Sequence, residues 1–278
     1  SNTVHWLFTL ERGWTLFFTG AGNERVQNNA TINTIQNNDG GFDYNTTFDI
    51  YDSTSNELSN PGNKLTMMFD IYLTEYDTLR GSNQIILNKE SQYEVALCNS
   101  GRGPDQYGGC EPGEILWALR LDGKGWYWTG TNYVVPLNQW THIAITYDGV
   151  EGVKTYANGE LVSTATHCPV HAKSYAAPDD TNFEQGECDY TKGTNIKPLG
   201  STFSIGARSL NKLDRFSHNL RNASLDRITI ANKALTRNEI QIIGSNMLSE
   251  LGDNVQRTPY ALIGSPQFEE GDGIEVIT

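Results

Sequence analysis

Residues 136–163 read PLNQWTHIAITYDGVEGVKTYANGELVS. From Trp140 to Asp148 the side chains alternate, with Thr141, Ile143, Ile145 and Tyr147 on one face and Trp140, His142, Ala144 and Thr146 on the other. That period of two predicts a half-buried antiparallel strand. Asp148-Gly149 supplies a turn, a second strand is expected over 153–157, and Asn158-Gly159 reverses the chain into Glu160–Ser163. Asn-Gly between β-prone runs is a strong hairpin signal, because both central residues of such a turn take positive φ. Two hairpins in succession make a meander, so the chain reads as all-β.

The same residues carry a family resemblance. A Trp opening a strand (Trp140), then His142-x-Ala144-x-Thr146-Tyr147-Asp148-Gly149, then Tyr156-x-Asn158-Gly159-x-Leu161, resembles the laminin-G-like jelly roll of the concanavalin A-like lectin/glucanase superfamily. Upstream, Leu65–Leu73 (LTMMFDIYL) stands where that family has its early sheet strand. Downstream, Phe203-Ser204-Ile205-Gly206-Ala207, Ser224–Ile230 (SLDRITI) and Ala234-Leu235-Thr236-Arg237-Asn238-Glu239-Ile240 follow in the family's order, so the resemblance covers residues 60–245. The sequence departs from the pattern where Asn222-Ala223 replaces the usual Gly before the closing strand and where Arg227 replaces the usual Glu. The resemblance implies an antiparallel two-sheet β-sandwich. It leaves function open, because the same fold hosts lectins, adhesion modules and glycosidases.

Working outward, strands are also expected near 84–89, 92–98, 114–121, 125–129, 202–208 and 224–231. The domain is expected over 1–252, with an N-terminal strand beside the C-terminal one. A polar loop or peripheral hairpin should occupy 19–47, and a disulfide-tied insertion 168–200. Thr236 and Glu239 form a capping box, with Ile240, Ile243 and Met247 behind it at helical spacing. This predicts one short helix over 236–250, closing near Gly252 and covering one end of the sandwich. The tail, 253–278, ends in a β-prone run from Ile274 to Thr278 with no partner in the family pattern, which suits an edge strand or one exchanged between copies.

Composition fits this class. A 37% hydrophobic fraction suffices for a packed core, and 278 residues is compatible with one large sandwich. Lys+Arg of 20 against Asp+Glu of 33 gives a net charge of −13, which argues against nucleic acid or an anionic membrane as partner. No run approaches the length of a membrane span. The cysteines at 98, 110, 168 and 188 permit three connectivities. Cys98–Cys110 and Cys168–Cys188 are preferred, since each would tie down a polar or Gly-rich loop. Disulfides, with sequons at Asn29, Asn45 and Asn222, point to a secreted, extracellular or cell-surface protein.

Catalytic patterns are missing. Paired carboxylates alternating on one strand, as a retaining glycosidase needs, do not occur, and Asp49 and Asp52 are wrongly spaced. His142, alternating with Ala144 and Thr146, reads first as a packed or hydrogen-bonded residue. A glycosidase or polysaccharide lyase is therefore the minority expectation. Binding is better supported: Trp126, Trp128, Asn132 and Tyr133 place aromatics among Gly, Thr and Asn, a composition that suits sugar rings and equally a core. The resemblance further implies calcium at the rim, for which Asp214 is the candidate ligand and Asp226 a weaker one. The expected function is thus a non-catalytic carbohydrate- or matrix-binding module, possible calcium assistance included. The alternative is a structural subunit that polymerises into, or decorates, an extracellular filament or surface layer.

Overall fold

The computed structural model describes residues 60–77, 83–99, 110–167, 189–199, 203–206 and 220–244 in full. It describes the backbone alone of short strands at 6–9, 16–18, 26–27, 31–36, 42–47, 208–210, 215–217, 267–268 and 274–275. The chain opens with β1 (Trp6–Thr9), β2 (Leu16–Phe18), β3 (Val26–Gln27), β4 (Thr31–Gln36) and β5 (Phe42–Thr47). The central elements are β6 (Lys64–Leu73), β7 (Gln84–Lys89), β8 (Tyr93–Leu97), β9 (Glu114–Arg120) and β10 (Trp126–Val134). The meander read from the sequence is β11 (Trp140–Asp148), β12 (Gly152–Ala157) and β13 (Glu160–Ala165). After it come β14 (Phe203–Ile205), β15 (Arg208–Leu210), β16 (Arg215–Ser217), β17 (Ala223–Ala231), helix α1 (Arg237–Gly244), β18 (Gln267–Phe268) and β19 (Ile274–Glu275).

Two sheets face each other. The first runs β1-β17-β6-β11-β12-β13 with β2 also on β17, and the second runs β10-β9-β8-β7-β14-β3-β5-β4. Apart from the parallel β3–β5 pair, the strands of both sheets pair antiparallel, which is the expected jelly-roll architecture. The N-terminal strand lies on β17 beside the chain's closing strand. The segment read as loop or hairpin contains the β4–β5 hairpin, which extends the second sheet. Ile274–Glu275, expected to be without a partner, pair with Gln267–Phe268. The remainder of the tail, the Cys168–Cys188 pair and most of the 168–200 insertion lie outside the described residues.

Alternation along the strands fixes the layers. Leu65, Met67, Phe69 and Ile71 of β6 and Ile143, Ile145 and Tyr147 of β11 enter the inter-sheet core with Tyr93, Trp117, Leu119 and Tyr127 of the second sheet. The opposite faces carry two smaller clusters. On the second sheet, Trp126 and Trp128 pack with Leu116, Ala118, Ala96 and Cys98. On the first sheet, Met68, Ala144 and Tyr156 are roofed by Leu235, Ile240 and Ile243. The helix therefore lies on the outer face of a sheet, a correction to its expected place at one end of the sandwich. The meander presents its buried periodicity on both faces, so alternation alone left open where the helix docks.

Local chemistry explains how the helix is held. Thr236 and Glu239 make the capping box, with the Thr236 amide donating to Glu239 Oε2 at 2.8 Å and the Glu239 amide donating to Thr236 Oγ1 at 3.3 Å. Ahead of the helix, the Leu235 amide donates to Thr66 Oγ1 at 3.0 Å. The Asn158-Gly159 turn takes positive φ at both positions (50° and 79°). Its Gly159 carbonyl accepts Arg237 Nε at 3.1 Å and Gln241 Nε2 at 3.3 Å. The described helix ends at Gly244, and the expected stretch to 250 lies outside the described residues.

Candidate functional site

Beyond the helix end, the outer face of the first sheet turns from apolar to polar within one row of residues. Met68 and Ala144 are register partners under the helix; Asp70 and His142 are partners in the next row, and Tyr72 and Trp140 in the row after that. The three rows share one face because strand side chains alternate. Asp70 Oδ1 meets His142 Nδ1 at 2.7 Å, and Asp70 Oδ2 accepts Arg227 Nε. Arg227 Nη1 donates onward to the carbonyls of Ile243 at 3.2 Å and Gly244 at 3.1 Å. These carbonyls sit at the helix C-terminus, where the macrodipole favours a cation.

Arg227 reaches this position through a bulge. The β17–β6 register shifts between Asp226 and Thr229, and Arg227 itself has φ 44°, a left-handed conformation that costs a non-Gly residue about 1–2 kcal/mol. Bulges of this kind re-aim a side chain, here onto Asp70. The sequence departure at Asn222 has a similar backbone cause. Its φ is 50°, and Asn tolerates the left-handed region better than most residues that could replace Gly.

Charge in the site is balanced internally. Burial pushes the Asp70 carboxyl up, but hydrogen bonds from His142 and Arg227 and their positive charge outweigh it and hold the group below its ordinary value. His142 is only half satisfied: Nδ1 faces Asp70, while Nε2 is buried with no hydrogen-bond partner. Gly244 lies so close above the imidazole that a Cβ there would sit 2.9 Å from His142 Cδ2.

The last row is open. Trp140 is 47% exposed, and its ring centroid lies 5.6 Å from that of half-buried Tyr72 at an interplanar angle of 53°. The tilted pair leaves part of the Trp140 ring surface open to solvent.

The residues singled out from the sequence sit elsewhere. Trp126 and Trp128 share a face and Tyr127 takes the other, as alternation required, but both Trp rings are buried, at 7% and 4% exposure. They meet edge to face with centroids 6.1 Å apart. Tyr133 packs against the inter-sheet core, and that burial raises its phenol. Asn132 is exposed at a φ of 57°, where its amide donates to Glu114 Oε1 at 2.8 Å. The Cys98–Cys110 disulfide is present with Cα atoms 6.1 Å apart, packed against the Trp126–Trp128 cluster. Asp226 is half-buried, and its Oδ1 accepts the Arg227 amide at 2.7 Å. Among the described residues no three His, Cys, Asp or Glu side chains converge to hold a metal ion; the calcium expected at the rim turns on Asp214, which is not among them. Asp214, Asn29 and the Asn45 side chain lie outside the described residues. Asn222 is half-buried, and its carbonyl accepts the Thr74 amide at 2.9 Å.

Reasoning from sequence missed Trp140, Tyr72, Asp70 and Arg227. One signal could have found Trp140: it shares a face with His142 on a strand whose other face is almost wholly apolar, so it had to point away from the core.

Comparison with known proteins agrees with this architecture. Residues 47–182 match the family model of the concanavalin A-like lectin/glucanases superfamily. No curated protein matches the sequence. Solved structures give partial likenesses. The ligand binding domain of botulinum neurotoxin serotype D in complex with N-acetylneuraminic acid is 16% identical, covering 66% of this chain and 36% of that one at a TM-score of 0.39. The receptor binding domain of botulinum neurotoxin D is 13% identical, covering 89% and 46% at a TM-score of 0.45. A heptameric SAP-like pentraxin from Limulus polyphemus is 17% identical, covering 66% and 70% at a TM-score of 0.39. The chain thus spans well under two thirds of either toxin domain, and no property of these proteins follows from such likeness. Over residues 47–182, just under half of the chain, the sequence is thus similar to the concanavalin A-like lectin/glucanases superfamily, in keeping with the two-sheet antiparallel sandwich described above.

Proposed function

We propose that this protein is a secreted, non-catalytic glycan-binding module that seats a sugar ring on the Tyr72–Trp140 pair. The observation that carries this reading is a large aromatic side chain left 47% exposed and tilted against a second ring, one row from a buried hydrogen-bonding cluster. Buried aromatic area dominates interface energetics, and an open Trp on an otherwise well-packed sheet face is an unused share of it. The Cys98–Cys110 bridge supports an oxidising, extracellular setting. The test is a glycan array probed with the full chain and with Trp140→Ala, in calcium and in chelator. A coherent set of glycans that the variant no longer binds supports the reading, and the chelator arm measures the calcium assistance expected at Asp214. An unchanged profile for the variant sinks this site. Hydrolysis or eliminative cleavage of any bound polysaccharide sinks the non-catalytic assignment.

A second reading, a self-assembling structural subunit, rests on β13. This strand ends the first sheet and exposes Leu161 at 50%, and an uncovered edge can pair with another chain. Concentration-dependent assembly in sedimentation, abolished by a proline at Leu161, favours it; a monomer at all concentrations removes it.

A further inference from the structure

The charges around the aromatic pair decide which sugars it suits, given the glycan-binding reading above. The cationic side chains described on this sheet, its adjoining turns and its helix are all committed. Arg227 is held by Asp70 and by two helix-end carbonyls. Lys64 pairs with Asp148 and Lys154 with Glu151. Arg221 faces Asp77, Lys233 pairs with Glu239, and Arg237 pairs with Glu160. A cation is the strongest single offset to the desolvation of a sugar's carboxylate or sulfate. In the row below the pair, Arg227 is bound to Asp70, and drawing it away would strip its guanidinium partner from a carboxylate that is only 10% exposed. Breaking a buried pair in this way costs more than the new contact returns. The chain's net charge of −13 repels anions at longer range as well.

We infer that the Tyr72–Trp140 platform selects uncharged pyranoses and rejects sugars bearing a carboxylate or sulfate. The aromatic pair contributes stacking area, which is indifferent to charge, and the cations described on this layer are already paired with carboxylates. Selectivity then arises from what the face withholds as much as from what it offers.

The experiment compares matched pairs on the full chain. Galactose-, glucose- and mannose-terminated oligosaccharides are titrated beside their counterparts capped with N-acetylneuraminic acid or sulfate, against wild type, Trp140→Ala and Trp140→Phe. The expected result is binding of one or more neutral members, weakened about tenfold or more by the acidic cap. That binding should fall by about tenfold or more in Trp140→Ala and largely survive in Trp140→Phe. Thermal melts of both variants establish that they fold. If acidic members bind as well as or better than neutral ones and remain sensitive to Trp140→Ala, the charge inference falls and the glycan-binding site stands. If no member binds, or binding ignores both substitutions, the site falls and the inference with it.

Discussion

Asp70 is the node of the outer-face cluster, and its removal should be felt as lost stability. Asp70→Ala leaves His142 and Arg227 buried, at 7% and 14% side-chain exposure, without the carboxylate that faces both. It also loosens the Arg227 contacts with the helix-end carbonyls. Removing one partner of a buried pair costs ~3–5 kcal/mol, and the residual exposure puts the expected loss near the lower figure. For a domain of this size each kcal/mol shifts the melting point by about 2–4 °C, so a drop of ~6–12 °C is expected. Asp70→Asn keeps shape and an acceptor but not charge, and should lose less. The pH dependence has a definite sign. Because the folded carboxyl titrates below its ordinary value, its stabilisation is complete above the unfolded value of about 3.9 and is lost as pH falls through the folded one. The stability gap between wild type and Asp70→Asn, measured by urea denaturation, should hold steady from neutral pH down to about 5 and close below about 4. A melt of Asp70→Ala within about 2 °C of wild type, or a gap unchanged under strongly acid conditions, would refute this account.

Three other substitutions probe separate parts of the argument. Gly244→Ala should destabilise by about 1 kcal/mol, read by chemical denaturation, although alanine is the better helix former by a similar amount. The reason is the 2.9 Å approach of the new Cβ to His142 Cδ2, an overpacking cost of about 1–3 kcal/mol. Thr236→Ala removes the hydroxyl that accepts the Glu239 amide and should cost about 1 kcal/mol in the same assay. Trp126→Ala should cost about 3–5 kcal/mol, since the ring is 7% exposed. Its affinity for any glycan, measured on the folded fraction, should nonetheless match wild type, in contrast to Trp140→Ala.

The fold was legible because its signals are local. The strands expected at 140–148 and 84–89 match β11 and β7. The Asn158-Gly159 turn forms as its residue types require, and the capping box sets the helix start. The strand expected over 125–129 runs on to Val134 as β10, through a register shift after Gly130, since pairing with β9 compensates for what glycine lacks in propensity. The helix position was not legible, because both faces of β6 and β11 are buried and alternation does not say which one meets the other sheet. The candidate site was illegible for a different reason. Asp70 and His142 stand 72 residues apart in sequence and Asp70 and Arg227 stand 157 apart, so no spacing rule joins them. The aromatic-rich run at Trp126–Tyr133 drew attention by composition, but its rings were needed for packing.

The roof over the first sheet has a consequence for the order in which the protein assembles. The described part of helix α1 has eight residues, and a helix shorter than about 12–15 residues is marginal in water by itself. Its anchors are spread over Met68, Ala144 and Tyr156 beneath it, Gly159 at its first turn and Arg227 at its last. These belong to the meander, which can form locally, and to β6 and β17, which must arrive from distant parts of the chain and bear the larger loop-closure entropy. The helix thus has nothing to rest on until the sheet is complete. Its amide protons gain protection from exchange with solvent last among the elements of that layer, and lose it first when the layer opens.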